Sequence, residues 1–248
     1  MRSFVLGGLL SLFLIGCAQE GGFDMQKALV VGGGVLQATT LEEQSVVDAA
    51  SLSAEEMDKT SQLAPPEHPY SQRLDTIIHD LHNYDGLALN FRVYLTTDVN
   101  AFAMADGTVR VYSGLLDAMP DDQVLAVIGH EIGHVKLKHS YNQLRQHILT
   151  DTAFKAAVSV GGTLEKLTSS QLGQLGQAAI TAHFSREDEL EADRYALTVL
   201  KKLNRDPLAM KRAIQTLEKL YGEGGGFLSS HPSNPERIRQ IELAAARL

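Results

Sequence analysis

Only one cysteine occurs in the 248 residues. No internal disulfide can form, and Cys₄ zinc sites and CxxC redox pairs are excluded. Positive charge is also scarce: Lys plus Arg is 22 against 30 Asp plus Glu, a formal net charge of −8. Nucleic-acid binders neutralise phosphates with Lys and Arg, so no nucleic-acid partner is expected. Long apolar runs are missing as well. The N-terminal run, Phe4 to Ile15, has 12 residues, whereas a membrane-spanning helix needs about 20. No later run reaches that length, so the rest of the chain is expected to be soluble. Gly32, Gly33 and Gly34 lie in an apolar stretch, but Gln37 stands where a GxGxxG dinucleotide fingerprint needs glycine. What remains is 44% hydrophobic and 21% charged. That composition suits one folded domain of ordinary size with a tether and excludes wholesale disorder.

The N-terminus reads as a targeting segment. Met1-Arg2-Ser3 supplies a basic start, a short apolar region follows, and the run ends Leu14-Ile15-Gly16-Cys17. This resembles the bacterial lipobox, in which the cysteine thiol is lipidated and the chain is cut before it. Ala18, rather than Asp, resembles the sort destined for the outer membrane. Residues 1–16 are therefore expected to be a lipoprotein signal peptide, and residues 17–66 a lipidated tether with N-terminal helices. Thr40-Leu41-Glu42-Glu43 and Ser53-Ala54-Glu55-Glu56 each have the form of a capping box, predicting two helices. Ala64-Pro65-Pro66 ends the second, and a compact domain is expected over residues 67–248.

Within that domain Tyr70 to Leu81 is helix-periodic, with Leu74, Ile77, Ile78 and Leu81 on one face. Leu87 to Thr96 is strand-like. Asn100 to Met104 and Thr108 to Tyr112 are strand candidates joined by an Asp106-Gly107 turn. From Asp121 onward the pattern is mostly helical, with breaks at Gly161-Gly162 and Gly222 to Gly226.

The chemistry sits in Gly129-His130-Glu131-Ile132-Gly133-His134, an HExxH inside an apolar helix. Residues four apart lie on one helix face, so His130 and His134 can present two imidazoles to one metal ion. Glu131 is turned by about 100° and can take a proton from water. Gly129 and Gly133 permit close backbone approach. A catalytic zinc also needs a third protein ligand. In HExxHxxGxxH that ligand is a histidine, but Leu137 and Ser140 occupy the last two defining positions here. The alternative is a carboxylate from Glu187, Glu189 or Glu191 on a later helix. Glu189 and Asp193 share a face with Ala196 and Leu200, and Asp193 can reach the N–H of a ligand histidine.

Four segments carry a resemblance to the gluzincin zinc metallopeptidases related to the CAAX prenyl proteases, in particular their small secreted HtpX/LoiP-like bacterial members. They are Asn100-Ala101-Phe102-Ala103, the HExxH segment, Phe184-Ser185-Arg186 through Asp193, and Ser230-His231-Pro232 with Arg237-Ile238. The resemblance implies an α+β, predominantly helical zincin-type domain with a small sheet edge beside the HExxH helix. It also implies one zinc ion per chain, Glu189 as third ligand, Asp193 as its supporting carboxylate and an active-site role for His231. Asn100 to Ala103 would hold substrate in extended form. The expected function is an endopeptidase, anchored to the outer membrane and facing the periplasm, that hydrolyses unfolded or misfolded envelope proteins. The rival reading is a self-inhibited metalloprotein acting mainly as a chaperone or assembly factor for outer-membrane proteins. Histidines 68, 79, 82, 139, 147 and 183 match no ligand spacing and are read as structural or surface residues.

Overall fold

Three short strands lie between two layers of helices. The computed structural model describes residues 41–151, 154, 167–222, 225–233 and 235–248. The expected signal peptide, Cys17, the glycines at 32 to 34, Thr40 and Gly161-Gly162 lie outside them. The helices are α1 (Glu43–Thr60), α2 (Pro69–Ile77), α3 (Ser113–Ala118), α4 (Asp121–Lys136), α5 (His139–Thr150), α6 (Ser169–Ile180), α7 (Arg186–Lys202), α8 (Ala209–Tyr221) and α9 (Pro235–Ala245). The strands are β1 (Asn90–Tyr94), β2 (Ala101–Ala103) and β3 (Thr108–Tyr112). They form one sheet in the order β1-β3-β2, with β1 parallel and β2 antiparallel to β3. The Asp106-Gly107 hairpin is as expected, and β2 is left as an edge.

The period-2 alternation of the strands assigns each sheet face to a different core. Val93, Ala101, Ala103, Val109 and Val111 turn toward α4 and the main core, with Leu74, Ile78 and Leu81. The four apolar positions expected on one face of residues 70–81 are all buried, although the α-helix stops at Ile77 and a 3₁₀ turn carries Leu81. Tyr94, Phe102 and Met104 turn the other way. They pack with Val46, Ala49 and Ala50 of α1, Leu144 and Ile148 of α5, and Leu175 of α6.

The N-terminal region differs from the sequence expectation. One helix runs through both stretches where two were expected. Ser53 does not start a helix: its hydroxyl donates to the Ala49 carbonyl (2.7 Å) within the buried stripe of α1. That stripe packs on α5 and α6. Asp58 near its end accepts from Arg110 Nε and Nη2 and from the Tyr94 hydroxyl, all at 2.8 Å. The described part of residues 17–66 thus packs on the sheet and helices of residues 67–248.

Candidate active site

Helices α4 and α7 meet along small residues. A Cβ on Gly133 would stand 3.0 Å from the Ala192 Cα, and one on Gly129 would stand 3.4 Å from the Ala196 Cα. The four-residue spacing of both pairs keeps the backbones close for a full turn. The expected close approach therefore has a specific use: it brings the two histidines of α4 within reach of the carboxylates of α7. Two acidic residues in the first turn of α4 and three in that of α7 suit the positive ends of the helix dipoles.

The structure brings together His130, His134, Glu189 and His231, all buried, with one donor atom from each within 4.8 Å of the others. The Nε2 atoms of His130 and His134 are 3.1 Å apart. Each lies 3.5 Å from a Glu189 oxygen. His231 Nδ1 is 3.2 Å from His130 Nε2 and 3.0 Å from Glu189 Oε1. A tetrahedron built on metal bonds of about 2.05 Å has edges of about 3.3 Å. The observed separations bracket that edge, and two imidazoles with a carboxylate form the donor set of a catalytic zinc. The residues present therefore fit the ion. Glu187 and Glu191 are exposed while Glu189 is 2% exposed, which separates three carboxylates that sequence spacing left equivalent.

The groups behind these donors are also paired. His130 Nδ1 is 2.9 Å from Asp193 Oδ1, the contact expected of Asp193. Arg237, fully buried, donates to both Asp193 oxygens at 2.8 Å and to the His231 and Pro232 carbonyls. Its Nη1 also stands 2.6 Å from Glu189 Oε2, a charge contact without hydrogen-bond alignment. Burial alone would raise the Asp193 carboxyl; the Arg237 charge outweighs it and holds the group below the carboxylate range. Burial likewise opposes ionisation of Glu189, and the charges of His231 and His130 overcome it. His134 is held well below its usual value, chiefly by burial.

Glu131 lies outside the ligand set. Its Oε2 accepts from the Ala103 N–H at 3.1 Å, while Oε1 has no hydrogen-bond partner among the described residues. Burial pushes this carboxyl above its usual value, against the pull of His231 and His130. The same strand carries the expected substrate residues. On either side of β2 the ladder to β3 runs through the backbone of Asn100 and Met104, so Ala101 and Ala103 turn theirs to the outer edge. Those edge groups already have partners. The Asn100 side chain accepts from the Ala101 N–H (2.9 Å), and Ser140 Oγ donates to the Ala103 carbonyl (3.1 Å). Phe102 points to the opposite face, into the second core.

His231 reaches the cluster from a loop. Its ring is stacked on Phe227, with centroids 4.3 Å apart, and on Phe184 at 5.3 Å. Gly226 lets the loop approach: it has φ 56°, and an added Cβ would lie 3.2 Å from the Val99 carbonyl. Burial would strip the His231 proton, but Glu131 and Glu189 outweigh that and raise it above 6.5. Reading the sequence missed His139, whose Nδ1 is 3.1 Å from that of His134. It also gave no role to Arg237, although that residue stood in a recognised segment.

A buried HExxH helix, a carboxylate donor from a facing helix and an outer strand with no neighbouring strand on one side, lying beside the base, define a metal-dependent peptidase. The model of Peptidase family M48 matches residues 71–245, and the chain belongs to that family as a metalloendopeptidase. It is 36% identical over 97% of its length to metalloprotease LoiP of Escherichia coli K12, covering 95% of that protein. It is 37% identical to metalloprotease YcaL of the same organism, over 92% of this chain and 91% of that one. The mitochondrial metalloendopeptidase OMA1 of Schizosaccharomyces pombe is 27% identical over 87% of this chain and 69% of its own.

Proposed function

We propose that the chain is a zinc endopeptidase, lipidated at Cys17 and anchored to the bacterial outer membrane. It would face the periplasm and hydrolyse unfolded or misfolded envelope proteins. The observation that carries the hydrolytic reading is Glu131: a buried carboxylate whose Oε2 is fixed by the Ala103 N–H, while Oε1 makes no hydrogen bond among the described residues and stands beside the donor set, 3.4 Å from His231 Nε2. His130, His134 and Glu189 would hold the ion. Once bound, it would supply Lewis acidity toward water and the scissile carbonyl. Glu131 Oε1 takes the proton of the attacking water and delivers it to the leaving amine. Asp193 fixes the His130 ring, and Arg237 keeps Asp193 ionised.

The free edge of β2 supports a substrate held by strand addition. That mode reads backbone and so favours unfolded chains. The Asn100 amide and the Ser140 hydroxyl would give up their edge partners as the substrate strand enters. Anchoring is supported by the Leu14-Ile15-Gly16-Cys17-Ala18 pattern. Among the described residues no helix is long and apolar enough to cross a membrane. Cys17→Ser should release the protein to the soluble periplasm, and unchanged outer-membrane fractionation would refute the anchor. For activity, the chain from residue 18 should digest unfolded casein, lose that activity to a zinc chelator and regain it with zinc.

One observation favours a second state of the same site. His231 Nδ1 stands at tetrahedral-edge distances from His130 and Glu189, where a fourth ligand would sit. We propose that His231 closes the centre at rest, consistent with the self-inhibited reading, and that its glycine-bordered loop withdraws for catalysis. His231→Ala should then raise casein turnover at matched zinc occupancy. A fall in kcat of about 10²–10³ would instead make it a donor to the oxyanion.

A further inference from the structure

His139 stands five residues beyond His134, off the three- and four-residue spacing that joins side chains on a helix. The chain brings it back by reversing. Helix α4 ends at Lys136, Lys138 takes φ 63° and ψ 20°, and α5 begins at His139. A left-handed lysine costs about 1–2 kcal/mol. What it obtains is a buried ring-to-ring contact, with centroids 5.1 Å apart and the two Nδ1 atoms 3.1 Å apart. The far nitrogen of His139, Nε2, lies 3.3 Å from both Asp188 Oδ1 and Glu191 Oε2.

One proton assignment satisfies every atom in this chain of contacts. His134 turns Nε2 to the donor cluster, so its proton is on Nδ1 and is donated. His139 Nδ1 must then accept, which leaves its own proton on Nε2, facing the two carboxylates. Asp188 has a second duty. Its Oδ2 accepts from the Ser185 N–H (3.0 Å), closing the capping box of α7, the helix that carries Glu189. The path therefore joins the end of the HExxH helix to the start of the helix bearing the carboxylate donor.

We propose that His139 is a positioning residue of the metal centre. It fixes the tautomer and ring angle of His134 through Nδ1 and relays the negative field of Asp188 and Glu191 to it. This is the counterpart of what Asp193 does directly for His130, and it rests on the reading of His130, His134 and Glu189 as metal ligands. Hydrogen-bond partners of ligand histidines are typically worth about 10–100-fold in metal affinity.

The test is zinc affinity by chelator competition on the full chain, with His139→Phe and His139→Asn compared to wild type. Phenylalanine keeps the ring volume but has no acceptor. It should weaken zinc binding about 10–100-fold and lower kcat more than it raises KM. Asparagine places Oδ1 where Nδ1 stood and should restore affinity to within about fivefold of wild type. Zinc binding by His139→Phe at wild-type strength would overturn the proposal, as would an asparagine variant no better than phenylalanine. Should the variants fail to fold, imidazole ¹⁵N spectra of the zinc-loaded wild type decide. A proton on His134 Nδ1 and none on His139 Nδ1 supports the relay, and a proton on His139 Nδ1 refutes it. A wild-type chain that takes up no zinc defeats the ligand reading itself, an outcome distinct from any failure of His139.

Discussion

The two faces of the three-stranded sheet handle buried charge in opposite ways. On the α4 side, four titratable donors, a base and the Asp193–Arg237 pair are gathered in a buried cluster. On the α1 side the core is apolar, and Asp58, held by Arg110, Arg92 and Tyr94, ties helix to sheet. Burying charges costs several kcal/mol each unless they are paired and hydrogen-bonded. The first face gathers seven titratable side chains in one small region, where the chemistry needs them, and offsets their burial by pairing, as Arg237 does for Asp193 and Glu189. The second face meets that cost at the margin, with the Asp58 side chain 14% exposed. The lesson is that one sheet separates a layer whose side chains are chosen for reaction from a layer chosen for packing.

The two faces should differ most at Glu131. Glu131→Gln keeps the bond from the Ala103 N–H but cannot take a proton. Casein turnover should fall by about 10²–10⁴, with zinc content unchanged. The variant should unfold no earlier than wild type, since the amide removes a carboxylate that burial disfavours. Turnover close to wild type would place the base elsewhere. Next in size is Arg237→Met, which leaves Asp193 and Glu189 without their shared cation. Removing one partner of a buried pair costs about 3–5 kcal/mol, read as a drop in the urea midpoint. Adding Asp193→Leu to Arg237→Met should recover part of the loss, because the stranded charge is gone. No recovery would mean that Arg237 acts through the His231 and Pro232 carbonyls instead.

Much of the first face was legible in the sequence. HExxH in an apolar helix carries its own spacing, and glycines at 129 and 133 flag the close contact with Ala192 and Ala196. Glu189 needed the resemblance, because Glu187 and Glu191 match it in type and only burial separates them. His139 was illegible for a physical reason. Its contact depends on a left-handed turn at Lys138, a position where no glycine or asparagine advertises one. The second face was legible in its strands but not in its helix. Ser53-Ala54-Glu55-Glu56 has the form of a helix start, yet Ser53 lies on the same stripe as Ala49, Ala50 and Met57. Continuous burial carried the helix through a local signal for a break.

The smallest predicted effect tests the fastener of the packing face. Asp58 accepts from Arg110, which is 3% exposed, and from Tyr94. Asp58→Asn keeps an acceptor but removes the charge, so it should cost about 2 kcal/mol, the scale of a hydrogen bond to a charged group. Burial would raise the Asp58 carboxyl, and the bonds from Arg110 and Tyr94 with the Arg110 charge outweigh it, so the value lies below the ordinary 3.8. The sign follows from linkage. A carboxyl depressed in the folded state contributes its full stability above the unfolded value and loses it as pH falls through the folded one. The gap in urea midpoint between wild type and Asp58→Asn should therefore stay constant from neutral pH down to about 4 and then shrink. Acid sensitivity arising on the α4 side is common to both proteins and drops out of the difference. A gap that stays flat would mean that the Arg110 and Tyr94 bonds do not shift Asp58, and one that widens would mean that burial outweighs them and raises the carboxyl; either would leave α1 held to the sheet by its apolar stripe.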